Sequence, residues 1–143
     1  MNIYLNFSGN AKEALDFYGQ VFHSKGREIT HYGDAPAEEG QEIPENVKNM
    51  IMHSVIEIDG MDVSLADHPK EMGDNIEIGN NISLVLNPDD VDDAKRIFTS
   101  LKDGGKVKLD LQETFWADAY GQLVDKFGVS WMINVQKQEQ FGE

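Results

Sequence analysis

The chain contains no cysteine, only four prolines, and 12 Lys and Arg against 26 Asp and Glu. Without cysteine there is no disulfide framework, no thiolate zinc site and no cysteine nucleophile. The shortage of cations leaves a formal net charge of −14. No cluster of Lys and Arg is available to neutralise a nucleic acid backbone or an anionic bilayer. Neither partner is expected, and the acidity reads as solubility. No apolar run approaches the roughly 20 residues of a spanning helix. The start, Met-Asn-Ile-Tyr-Leu-Asn-Phe-Ser-Gly, lacks the basic and apolar regions of a secretion signal. A cytoplasmic protein is expected. Also missing are a Gly-x-Ser-x-Gly elbow, a phosphate loop and a Gly-x-Gly-x-x-Gly turn, so hydrolase, nucleotide and dinucleotide readings lack support.

What is present suits one globular domain of 143 residues. Ile3 to Phe7 reads as a strand. Asn10 with Glu13 resembles a capping box, and Ala14, Leu15, Phe17, Tyr18, Val21 and Phe22 recur at helical spacing, predicting a helix over about 11–22 that Gly26 ends. Arg27 to Tyr32 reads as a second strand, and 33–49 as a long acidic surface loop. Met50–Ile58 and Met61–Asp67 flank Asp59-Gly60, a strong hairpin signal. Residues 68–79 read as a linker.

The second half begins with a strand over Asn81–Leu86. Asn87-Pro88-Asp-Asp90 predicts a helix start with Asn as cap and Pro at the first helical position. Val91, Ala94, Ile97, Phe98 and Leu101 make its apolar stripe, and Gly104-Gly105 end it. Val107 to Leu111 is a strand. A hairpin follows that carries both tryptophans, Trp116 and Trp131, and turns at Asp125-Lys-Phe-Gly128. Gly121 and Gly128 suit a bulge and a turn with positive φ. The tail from Gln136 is polar and expected to fray.

The halves repeat. Each is strand, helix and three strands, and Leu5, Ala14 and Tyr18 superpose on Val85, Ala94 and Phe98 at constant offset. The expected fold is α+β: two βαβββ modules, about 1–68 and 80–135, pairing their sheets into a curved mixed surface with helices outside. A single four-stranded sheet with one helix leaves a face uncovered, so the modules need each other.

This order, with Tyr-Leu-Asn-Phe-Ser-Gly-Asn10, Ala14-Leu-Asp-Phe-Tyr18, Ile51-Met-His-Ser54, Gly60, Asp67, Phe115-Trp116, Tyr120-Gly121, Asp125-Lys-Phe-Gly128 and Trp131, resembles the PhnB-like branch of the glyoxalase/bleomycin-resistance (vicinal oxygen chelate) superfamily. The resemblance covers about residues 3–135. It implies a homodimer with a pocket built by paired modules. Catalytic members hold a divalent metal with His and Glu; those places here fall on Ile3, Ser64, Asn81 or Ser83, and Met132. Two-residue shifts, to Leu5, Ala66 and Asn134, supply no imidazole or carboxylate either. No metal or cofactor is therefore expected. The branch often carries a demethylubiquinone methyltransferase label, but the chain has no glycine-rich strand-to-helix loop for an adenosyl cofactor.

The expected function is binding of a small organic molecule in a largely apolar pocket lined by Leu5, Phe7, His53, Ser83, Trp116 and Met132. The alternative is a lyase- or dioxygenase-type enzyme using His53, with Asp67 orienting its ring. Against it stands Asp67 as a simple cap of the turn before Pro69. A second alternative is a non-catalytic scaffold for protein association. Trp131 alternates opposite Met132 and is expected in the core, while Trp116 is a candidate to stack on a ligand.

Overall fold

The computed structural model describes residues 1–35, 42–73 and 75–138. The chain forms two compact units, Met1–Glu77 and Ile78–Glu143, and each is a βαβββ module. The first contains β1 (Ile3–Phe7), α1 (Ala11–Phe22), β2 (Arg27–His31), β3 (Ile51–Ile58) and β4 (Met61–Asp67). The second contains β5 (Leu84–Leu86), α2 (Val91–Leu101), β6 (Lys106–Gln112), β7 (Ala117–Val124) and β8 (Ser130–Gln136). The sheets run β1-β4-β3-β2 and β5-β8-β7-β6, each with one parallel pair, β1 on β4 and β5 on β8. The predicted repeat and the α+β fold class are present.

Within the first module, α1 buries Ala11, Ala14, Leu15, Tyr18 and Val21, the stripe read from the sequence. The helix ends at His23, which takes a left-handed conformation (φ 50°), three residues before the Gly26 expected to stop it. Gly26 has a different task. A Cβ there would lie 2.7 Å from Leu15 Cδ2, so the chain leaving the helix passes against its apolar face. Asp59 and Gly60 have φ of 52° and 78°, the pair of positive values a type I′ hairpin needs.

Strand alternation assigns the faces. Register pairs Ile3 with Val63, Leu5 with Leu65 and Phe7 with Asp67, so these side chains share one face. That face lies against α1, because the Asp67 carboxylate accepts from the backbone of Ala11, the first helical residue. Tyr4, Asn6, Ser64 and Ala66 point the other way.

In the second module, Leu84 pairs with Trp131 and Leu86 with Ile133. Leu123 pairs with Trp131 and Gly121 with Ile133. These form the face against α2: a Cβ on Gly121 would lie 2.8 Å from the Phe98 ring. Gly121 is thus required for close helix–sheet approach. The register irregularities expected near it lie along β6, between Val107 and Leu109 and between Leu109 and Gln112.

The starts of two elements and the capping of a third differ most from expectation. β5 covers only Leu84–Leu86, not Asn81–Leu86. α2 begins at Val91 with Asp90 as cap, its carboxylate accepting from Asp93 N at 2.7 Å; Asn87 and Pro88 precede the helix. Asn10 stands at the cap of α1 but makes no capping side-chain bond. Of the acidic loop 33–49, residues 36–41 lie outside the described residues; Tyr32 and Gly33 bond back to Met50 and Lys48. Of the tail, 139–143 lie outside them, while Lys137 reaches Glu113.

Candidate ligand cleft

Asp67 closes β4 and is 1% exposed. Its Oδ1 accepts from Gly9 N (2.9 Å) and Ala11 N (3.0 Å), and its Oδ2 from Ile51 N (2.9 Å). Three stretches of backbone meet on one carboxylate: the β1–α1 loop, the first turn of α1 and the start of β3. Charge-assisted bonds of this type are the strong ones. The Asp67 carbonyl is also used, accepting from Tyr32 Oη at 2.7 Å. This side chain is a tie between segments, a larger role than the turn cap expected of it.

His53 lies elsewhere. Val55 pairs with Ser64, so alternation along β3 places His53 on the face with Tyr4 and Ser64, opposite Asp67. The Tyr4 and His53 rings, with centroids 6.4 Å apart, confirm that face. Asp67 therefore does not orient the His53 imidazole. Leu5 and Phe7 likewise share the Asp67 face, and the sheet separates them from His53; Phe7 is buried in the core. At the far end of the His53 face, Arg27 and Asp62 pair at 2.7 Å. That hydrogen bond raises the guanidinium above its ordinary pKa.

The second module contains an open cleft of about 650 Å³. Gln122 pairs with Met132 and Val124 with Ser130, so all four side chains stand on the face away from α2, and all four line the cleft. Lys108 of β6 and Ser83, just before β5, complete its sides with Ile78, Gly79 and Asn80. The 78–80 stretch is seated by Gly128 (φ 89°), where a Cβ would meet Ile78 Cγ2 at 2.8 Å. Beneath it, Asp125 organises the hairpin. Its Oδ1 accepts from Phe127 N and Val129 N, and its Oδ2 from Trp131 Nε1 at 2.8 Å. Trp131 is 1% exposed, the core position expected of it.

Of the expected pocket residues, Ser83 and Met132 both line this cleft. Trp116 is outside the lining but on the same face. Its ring packs edge-on to Tyr120 at 5.4 Å, and Tyr120 Oη accepts from Gln122 Nε2 at 2.8 Å. A continuous row runs from Trp116 through Tyr120 and Gln122 to the cleft. Sequence reasoning missed Gln122 and Lys108. The former was within reach, because counting back from the Asp125–Gly128 turn sets Gln122 opposite Met132.

Among the described residues no three His, Asp or Glu side chains are grouped to hold a metal ion. The positions assigned to the metal by resemblance carry Ile3, Ser64, Asn81 or Ser83, and Met132, and Ile3 faces away from Ser64 across the sheet. This donor set does not fit the superfamily's divalent metal.

The model of a family described as 3-demethylubiquinone-9 3-methyltransferase matches residues 1–134. Protein YjdN of Escherichia coli is 34% identical over 143 residues, covering 95% of each chain. Among solved structures, a putative 3-demethylubiquinone-9 3-methyltransferase, PhnB protein, from Bacillus cereus aligns at TM-score 0.76 and 23% identity, covering 94% of this chain and 98% of that one. The fosfomycin resistance protein FosX of Listeria monocytogenes aligns at TM-score 0.65 and 9% identity, over 97% and 93% of the two chains. Both structural likenesses, at 23% and 9% identity, are of fold alone.

Proposed function

We propose that this chain, which belongs to the family described as 3-demethylubiquinone-9 3-methyltransferase and shares the fold of a PhnB protein and of FosX, binds a small organic molecule in the cleft of its second module, without a tightly held metal. The observation that carries this reading is the cleft itself, with Ser83, Lys108, Gln122, Ser130 and Met132 converging on one face. A concave site that sets apolar surface beside a few convergent polar groups is the usual form of a small-molecule site. Fold likeness alone sets no activity.

Methyl transfer draws no support from this chain's residues. The β1–α1 loop, Ser8-Gly9-Asn10, holds one glycine, and the Gly9 and Ala11 amides are already committed to Asp67. The acid/base alternative loses its orienting carboxylate for the same reason. A homodimer remains part of the proposal, supported by Phe115 and Trp116, which stay 88% and 47% exposed in the single chain; light scattering at micromolar concentration tests it, and a monomer mass removes it.

The binding reading is tested by screening a small-fragment library against isotope-labelled protein with assigned backbone amides. Fragments that bind are expected to shift the amides of Ser83, Lys108, Gln122, Ser130 and Met132 together. Hits that leave all five unmoved place the site elsewhere. In the same preparation, loading with Zn²⁺, Ni²⁺, Mn²⁺ or Fe²⁺ is expected to leave far less than one metal per chain. One equivalent, lost in His53→Ala, overturns the metal-free reading.

A further inference from the structure

The cleft differs in charge from the rest of the molecule. The chain carries 26 Asp and Glu in 143 residues, yet none is among the described residues that line the cleft. The single charged side chain there is Lys108. No carboxylate among the described residues pairs with it, whereas Arg27 on the first module's sheet is held by Asp62 at 2.7 Å. The acids on or beside these strands lie elsewhere. Asp125 turns its carboxylate to its own hairpin amides and to Trp131, while Asp110, two residues from Lys108 on β6, Asp118 on β7 and Glu77, next to Ile78, are outside the lining. Donors from Gln122, Ser83, Ser130 and Asn80 share the cleft with Lys108, beside the apolar Met132, Val124 and Ile78.

We infer that the cleft selects small organic anions, a carboxylate or a group of like charge on a compact apolar body. The anionic group is held at Lys108, and the body rests on Met132 and Val124. An ammonium finds no carboxylate to meet it. A charge-assisted hydrogen bond to a lysine is stronger than a neutral one. In a chain of net charge −14, a local gap in the acids is what lets an anion approach. This inference rests on the cleft being the binding site, and it adds the charge of what binds there.

The test uses matched probes that differ only in charge: phenylacetate, phenylacetamide and phenethylamine, each titrated into the full chain while cleft amide shifts are followed. Phenylacetate is expected to bind roughly five- to tenfold more tightly than phenylacetamide, the worth of one favourable charge contact at a solvated site, and phenethylamine most weakly. Lys108→Gln is expected to remove the preference for the anion while the amide still binds. Lys106→Gln, on the same strand but outside the lining, is expected to keep it. Equal binding of phenylacetate and phenylacetamide at the cleft overturns the charge selection and leaves the cleft as a binding site. Probe binding that shifts residues away from the cleft, or no binding by any of the three up to tens of millimolar, overturns both.

Discussion

The two modules share one topology and solve the same problem at different range. In the second, the start of α2 is capped from within: Asp90 accepts from Asp93, three residues on. In the first, Asn10 occupies the cap position of α1 and its side chain makes no such bond. The helix is capped instead by Asp67, 56 residues later in the chain, which also holds Gly9 and Ile51. Asp125 is its counterpart in the second module only in geometry, two donors on one oxygen and one on the other. Two of its donors lie within four residues. One module is pinned by a long-range carboxylate, the other by two short-range ones. A cap that comes from afar joins secondary structure to tertiary structure; a local cap stabilises its helix alone.

The sharpest way to break this contrast is to remove the charge at each tie. Asp67→Asn leaves one oxygen as acceptor and sets an amide NH₂ against a buried N–H. The remaining oxygen can keep Gly9 and Ala11 while the buried Ile51 N–H is orphaned, and two of the three bonds are fully buried, so about 2–4 kcal/mol of stability is expected to go, read by urea denaturation. Asp125→Asn can keep both turn amides on its oxygen and loses chiefly the Trp131 bond, so about 1–3 kcal/mol is expected. Equal losses would mean that range has no bearing on the tie.

Gly121→Ala probes how tightly α2 is seated on its sheet. A methyl 2.8 Å from the Phe98 ring and 3.1 Å from Leu111 Cα has backbone on one side, and an overpacking cost of about 1–3 kcal/mol is expected. A change within about 0.3 kcal/mol would show that the helix has room to shift. The smallest effect concerns the caps themselves. Asp90→Ala is expected to cost about 1 kcal/mol and Asn10→Ala less than about 0.5 kcal/mol, both by thermal or urea unfolding. The reverse order would return the capping of α1 to Asn10.

Much of the fold was legible because it is written in local periodicity. The apolar spacing of residues 14–22 located α1 closely and that of 91–101 found α2, although its start was read three residues early; Asp59-Gly60 located its hairpin by the positive φ it demands. Legibility failed where two local signals competed. Asn87-Pro88 has the form of a helix start, but Asp90 with Asp92 and Asp93 after it supplies a better cap and first turn. Trp131 was placed in the core by alternation alone. Gln122 follows from the same counting, since a turn of known position sets hairpin register. Lys108 does not: β6 pairs irregularly with β7, so parity along the strand cannot say which side chain reaches the cleft.

By itself, then, the sequence determined the elements, their repetition and the core position of Trp131, because these depend on contacts within a few residues and on a strict period of side chains. Only the tertiary structure decided that the sheet separates His53 from Asp67, that one carboxylate gathers three distant amides, and that Lys108 stands in a cleft without acids. Each of those depends on register and approach between strands far apart in the chain, where one residue of slip turns a side chain to the opposite face.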